Sequence, residues 1–251
     1  MRHALLAALL LSSAVSLAAK PMAASPAIAA AVAFKERPAE AVALDVSRKP
    51  AEVLAYFGLK RGMTALDVVA GTGYYTELMA RAVGPKGKVV AFIPAPFLQG
   101  KTKEAIDAVT AREPNAMVTS NFSAELGKAN AYDFVMIHLN YHDFYWESEQ
   151  FKIPRTDPNL VVAGLFHATK PGGIVAVVDH VGPAGDTRAI VDKLHRIDPE
   201  TVKADFLRAG FMLDGTSDVL RNPGDDHSKN VFDPAIRGKT DRFVFRFQKP
   251  K

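Results

Sequence analysis

The chain has 251 residues with a formal charge of +4, and 48% of them are hydrophobic. That is enough for one sizeable core and a single domain of about 200 residues. There is no cysteine, which excludes disulfides, thiol nucleophiles, zinc–thiolate centres and a lipid-modified cysteine together. The basic residues are spread out and form no dense run, so nothing points to nucleic acid as a partner.

Met1-Arg2-His3 is a short basic start, and Ala4 to Leu17 is an apolar run broken only by serines, with alanine-rich sites after it. This is the pattern of a secretory signal over 1–19, cleaved after Ala19 or as late as Ala29 or Ala33, and too short for a stable membrane anchor. The expectation is an exported, periplasmic protein. Residues 20–36, alanine-rich with two prolines, read as a disordered tail, which leaves a domain over 37–251.

Ser47 reads as the cap of a helix with Pro50 in its first turn and Val53, Leu54 and Phe57 on its apolar face, stopped by Gly58. The stretch Ala65 to Ala80 organises the rest of the chain. It begins as a buried strand with β-branched Val68 and Val69, turns at Gly71-Thr72-Gly73, and becomes helical from Tyr74 to Val83. Glycines let a backbone approach a ligand closely, and a helix start aims unpaired N–H groups and a positive dipole end at it. Asp67, near the end of the strand, is placed to accept bonds from the N–H groups of the turn.

The following pattern is strand Lys88–Ile93, helix Lys101–Arg112, strand Ala116–Thr119, a short helix near Ala124 and strand Tyr132–His138. A polar and aromatic segment, Asn140 to Asp157, leads to a helix at Asn159–Thr169, the turn Lys170-Pro171-Gly172-Gly173 and an apolar run Ile174–Asp179. Asp198 caps a helix over Glu200–Ala209 that opens on Pro199, and Gly210 stops it before strand Phe211–Leu220. Asn222 to Thr240 is a long polar loop, and Arg242–Gln248 alternates Phe243, Phe245 and Phe247 in a period of two, as an antiparallel closing pair with core phenylalanines. The alternation predicts a doubly wound, Rossmann-like α/β sheet, mostly parallel with an antiparallel C-terminal strand, whose ligands sit beyond the carboxyl ends of the strands.

Chemistry concentrates at the predicted end of the fourth strand, where His138, Asn140, Tyr141, His142 and Asp143 lie within six positions. His142 or Asp143 can take a proton from a substrate nucleophile, with Tyr141 beside them, or the group is a hydrogen-bonded knot beneath the Trp146 loop. Asp179 and His180 end the next strand and face the same rim. Histidine with carboxylate also suits a divalent metal, but His138 ends a strand, so His138 and His142 are no helical metal pair, and no metal ligands are assigned. In the long loop, Arg237-Gly238-Lys239 and Asp241-Arg242 can form a cationic lip shaped by Asp225 and Asp226, joined by His195-Arg196.

The strings LDVVAGTGYYT, YDFVMI and KPGGIVAVVDH, in this order of elements, resemble class I S-adenosylmethionine-dependent methyltransferases over nearly all of Arg48 to Lys251. NYHDFYW, LHRIDPE and LRNPGDDHSKNVFDPAIRGKTDRF are similar to a family of exported predicted methyltransferases. The resemblance implies S-adenosylmethionine as cofactor, held by Asp67, Gly71, Thr72, Gly73, Tyr75, Asn121 and Asn140. It also implies a small-molecule acceptor at a rim of His180, His195, Arg237 and Arg242. Two departures stand out. The first glycine of the family motif is Val69 here, and the second strand ends Ala91-Phe92-Ile93-Pro94 without the carboxylate that binds the ribose hydroxyls. Losing such a contact costs a few kcal/mol, and Ile93→Asp is expected to restore it. The other reading of the same residues is a non-catalytic ligand- or metal-binding protein on a degenerate methyltransferase fold.

Overall fold

A computed structural model describes residues 23–251, and the expected signal at 1–19 lies outside the described residues. The expectation of a disordered tail over 20–36 is corrected for its described part. Pro26–Val32 is a helix, α1, capped by Ser25 with Pro26 in its first turn. Its Ile28 and Ala31 are buried in the same cluster as Leu78 and Met79. Alanine is the best helix former, and an alanine-rich segment needs only one apolar residue per turn to dock. The absence of strong polar contrast makes such a segment look like a tail.

Two short helices follow, α2 (Ala39–Ala43) and α3 (Asp45–Arg48), and then α4 (Pro50–Phe57). Ser47 is not the cap of α4. It lies inside α3 and bonds back to the Leu44 carbonyl, while Lys49, at a φ of 43°, makes the break. Pro50 still occupies the first position of α4, and Gly58 ends the helix in the left-handed region, as the sequence predicts.

The central unit is β1 (Thr64–Val68), α5 (Tyr74–Val83), β2 (Lys88–Phe92), α6 (Gly100–Arg112), β3 (Ala116–Thr119), α7 (Phe122–Leu126) and β4 (Tyr132–His138). A 3₁₀ turn, His142–Tyr145, precedes α8 (Pro158–Ala168) and β5 (Thr169–His180). Lys170 to Gly173 bulges out between the β4 pairs of Tyr132 and Phe134, which agrees with the turn read there. Helix α9 (Thr187–Leu194) is an element that sequence reading missed, although Asp186 caps it by accepting from the N–H groups of Arg188 and Ala189. The chain closes with α10 (Pro199–Arg208), capped by Asp198, then β6 (Met212–Ser217) and β7 (Arg242–Gln248). No helix among the described residues is long and apolar enough to cross a membrane.

The sheet order is β3-β2-β1-β4-β5-β7-β6, and β7 alone runs antiparallel to its neighbours. The strand order reverses between β1 and β4, where a crevice opens at the carboxyl ends. Both faces are covered, so the inner strands are apolar throughout. Phe57, Leu78 and Phe134 pack on one side, while Leu66, Val135, Phe206, Phe243, Phe245 and Phe247 pack on the other. The three alternating phenylalanines share one face because the strand period is two.

Candidate functional site

At the reversal point, β1 and β4 both end in sharp left-handed turns, with Val69 at a φ of 55° and Leu139 at 61°. Val69 stands where the resembling family has glycine, and its backbone keeps the glycine-like conformation at a steric cost of about 1–3 kcal/mol. Asn140 braces it, donating from Nδ2 to the carbonyls of Val68 at 2.9 Å and Val69 at 3.2 Å. Gly71 follows at a φ of 57° with open space on its Cβ side. Gly73 is needed for packing, since a Cβ there would lie 2.6 Å from Ile106 Cδ1.

This turn borders a cavity of about 280 Å³ whose walls include Arg48, Asp67, Gly71, Tyr75, His138 and Asn140. Thr72 and Tyr74 complete its rim. Asp67 bonds to the helix and not to the N–H groups of the turn: Thr76 Oγ1 donates to it at 2.6 Å. Burial pushes its carboxyl up to about 7, with Thr76 and the Arg48 charge opposing. Burial, with the charges of Arg48 and Arg242, holds His138 well below the usual histidine range, so its ring is neutral. Nε2 of His138 and Oδ1 of Asn140 are buried in this wall without a hydrogen-bond partner among the described residues. Arg48 lies 4.4 Å from the Tyr74 ring centroid and has no ion-pair partner among the described residues.

A second cavity, of about 910 Å³, adjoins the first and shares Arg48, Val69, Leu139 and Asp143 with it. Its walls are mostly apolar and aromatic. Phe92 stacks on Phe122 at 4.2 Å on one side, and Phe97, Trp146, Phe151 and Phe232 line the mouth. Its polar end carries His142, Asp143, His180, His195, Arg237 and Arg242. A depression of about 700 Å³ also lies beside α1 and α5, but it opens near the start of β2. That is the wrong end of an open α/β sheet for a ligand.

At the polar end, His142 Nδ1 lies 2.9 and 3.1 Å from the two oxygens of buried Asp179. Burial alone would depress His142, but the charges of Asp179 and Asp143 outweigh it and raise the ring to about 9. The two carboxylates thus favour the charged form of the ring, in which both nitrogens carry protons. Asp143, raised by burial, sits at the junction of the two cavities. His180 Nδ1 meets Thr240 Oγ1 at 2.7 Å, and burial keeps the ring neutral. Arg242 is buried and depressed to about 10 by burial and by Arg48, and it donates to the Ser47 carbonyl at 2.7 Å.

Three residues leave the site that the sequence assigned them, and the position proposed for a restored carboxylate does not face it. Tyr141 is not catalytic, because its ring is in the core and its hydroxyl donates to buried Asp205 at 2.8 Å. Asn121 does not face either cavity; it is exposed and caps α7 through Ala124 N, while its neighbour Phe122 supplies the wall. Ile93 is fully buried with Ile106 and Val109, so the residues of the second strand end that face the cavity are Phe92 and Pro94. Arg196 is no part of the rim, being fully buried and paired with Asp225 through two bonds at 2.9 and 3.0 Å. Sequence reading overlooked Arg48, which it passed over as part of a helix start. The single signal for it was a cation two positions before Pro50.

Comparison with known proteins agrees with this architecture. Residues 40–137 match the family model of protein-L-isoaspartate(D-aspartate) O-methyltransferase, a stretch that is less than half of the chain. The chain is 28% identical over 140 residues to the ubiquinone/menaquinone biosynthesis C-methyltransferase of Saccharophagus degradans, covering 55% of this chain and 50% of that protein. It is 29% identical over 136 residues to the demethylmenaquinone methyltransferase of Staphylococcus aureus, covering 52% and 48%. The chain thus matches about half the length of these curated relatives. A SAM-dependent methyltransferase from Aquifex aeolicus has the same fold, with a TM-score of 0.58, 23% identity, and coverage of 85% of this chain and 99% of that one. The strand order, the glycine turn beneath a cavity and these similarities define a class I methyltransferase architecture. This chain has the class I methyltransferase fold, and its residues 40–137 are similar to a methyltransferase family.

Proposed function

We propose that this protein is an exported S-adenosylmethionine-dependent methyltransferase acting on an apolar, ring-bearing small molecule. The observation that carries this reading is the pair of joined cavities, one small and polar over the glycine turn, the other large and aromatic. The residues of the small cavity suit the amino-acid end of the cofactor. Arg48, without an ion-pair partner among the described residues, is a cation for a carboxylate, and Asn140 Oδ1 and Asp67 are acceptors for an ammonium group. Phe92, Pro94 and Phe122 suit a flat base, but no carboxylate stands there for ribose hydroxyls, so affinity rests on the amino-acid end. When bound, the cofactor supplies an electrophilic methyl group.

The chain's own part is positioning. Trp146, Phe151 and Phe232 exclude water from an apolar ring, while His142, Asp143 and Arg242 hold its polar atom at the junction. The S. degradans and S. aureus relatives are named for quinone methylation, and a ring of that kind suits these walls. Export through residues 1–19 belongs to the same proposal. Since α1 is part of the core, a mature terminus before Ser25 fits the fold and cleavage after Ala29 or Ala33 does not.

The competing reading, a binding protein that has lost the cofactor, is favoured by one observation, that the second strand ends in Phe92, Ile93 and Pro94 with no carboxylate. Calorimetric titration with S-adenosylmethionine and S-adenosylhomocysteine separates them. Micromolar binding that falls at least tenfold in Arg48→Ala supports the transferase. No binding at millimolar cofactor removes it.

A further inference from the structure

His142, Asp143 and His195 each bring one ligand atom to within 4.8 Å of the others, on the wall of the larger cavity. They come from two separate parts of the chain, the 3₁₀ turn after β4 and the end of α9. His142 is oriented from behind. Both oxygens of Asp179 face its Nδ1, and Asp179 is itself fixed by the backbone N–H groups of His142 at 2.9 Å and His180 at 2.7 Å. Nδ1 therefore carries the proton that Asp179 accepts, and Nε2 is turned toward Asp143 Oδ1 at 3.4 Å. A carboxylate behind the far ring nitrogen is the usual support of a metal-bound histidine, setting its tautomer and raising its donor strength. A separation of 3.4 Å between two donors also matches a tetrahedral site with bonds of about 2.1 Å.

His195 reaches the group from the C-terminal cap of α9 at a φ of 50°, a conformation that costs energy for any residue with a Cβ. Its ring stands edge-on to His142 at 5.6 Å, held between Trp146 at 5.3 Å and Phe232 at 5.1 Å.

We propose that His142, Asp143 and His195 bind a divalent first-row transition-metal ion, with Asp179 as its supporting carboxylate and the remaining coordination positions open to the aromatic cavity. Two imidazoles and one carboxylate select zinc, iron, cobalt or nickel over magnesium and calcium, which prefer all-oxygen sites. The ligand for the open positions is an oxygen anion on an otherwise apolar molecule, since a cation with vacant sites faces aromatic walls. The site meets the smaller cavity only through Asp143, and its existence does not rest on the cofactor reading.

The test uses untagged, chelator-stripped protein titrated with cobalt(II), followed by its visible ligand-field absorption and by calorimetry. One equivalent is expected, with the intense spectrum of a four- or five-coordinate ion, and with zinc displacing it. His195→Ala and Asp143→Asn should each weaken cobalt binding by about a hundredfold, and Asp179→Asn by about 10–100-fold. His167→Ala, an exposed histidine on α8, should change nothing. His195 is half-buried at the end of a helix, so its variant should retain the native circular dichroism and decides the matter even if Asp179→Asn fails to fold. No saturable spectrum at millimolar cobalt, or equal affinity in folded His195→Ala, overturns the site. Protein that takes cobalt but not S-adenosylmethionine keeps the metal site and removes the transferase reading, and the converse result does the reverse.

Discussion

Asn140 Nδ2 donates to the carbonyl of Val69 at 3.2 Å, tying the end of β4 to a β-branched residue held at a φ of 55°. The same amide reaches the Val68 carbonyl at 2.9 Å, so the two central strands are clamped where the crevice opens. Val69→Gly removes strain of about 1–3 kcal/mol and adds a glycine entropy cost of about 0.5–1 kcal/mol. A net gain of about 1 kcal/mol in urea denaturation is expected, with tighter S-adenosylmethionine binding as the wall recedes. A loss of stability would show that Val69 is not strained.

Asp67 links the site to pH. Its folded value of about 7 is above that of an unfolded aspartate, so the folded state holds the proton more tightly. The resulting stability is complete below about pH 4 and is lost as pH rises through about 7. Asp67→Asn abolishes that dependence while keeping an acceptor for Thr76. Melting temperatures measured from about pH 5 to pH 8 should fall in the native protein relative to the variant. Parallel profiles would mean that Asp67 ionises normally.

Ile93→Asp puts a carboxylate into the Ile106–Val109 cluster and should cost several kcal/mol with no gain in cofactor affinity. Pro94→Asp places the same group on the cavity wall, where it should cost little and bind ribose hydroxyls. Chemical denaturation and calorimetry of the pair decide this, and a stable, tighter-binding Ile93→Asp would contradict it.

Tyr141→Phe removes a buried bond to Asp205, which also accepts from Tyr145 at 2.6 Å. The expected loss is about 1–2 kcal/mol of stability with cofactor and metal binding unchanged. An unchanged melting temperature with lost binding would return Tyr141 to the site.

A chain beginning at Phe34 lacks α1 and uncovers the surface that Ile28 and Ala31 bury, at a cost of about 2 kcal/mol or more. It should melt at least several degrees below a chain beginning at residue 23. Equal melting temperatures would restore the tail reading.

The sequence by itself determined the sheet, because its signals are local. A buried strand, a glycine turn and a helix start are each written within a few residues, which is why β1, α5, β3, β4 and β7 lie where their patterns place them. The capping of α10 by Asp198 was legible for the same reason. Helix α1 carried little polar contrast and was misread, and α9 was missed although Asp186 caps it and Ile190, Val191 and Leu194 recur at helical spacing. What only the tertiary structure decided is the direction of each side chain at the strand ends. Tyr141 and His142 are adjacent, yet one hydroxyl enters the core toward Asp205 and the other ring faces Asp179 and the cavity. Ile93 and Phe92 divide in the same way. His142, Asp143 and His195 meet only because α9 packs against the turn after β4. Such contacts join residues about fifty positions apart, and no local periodicity records them.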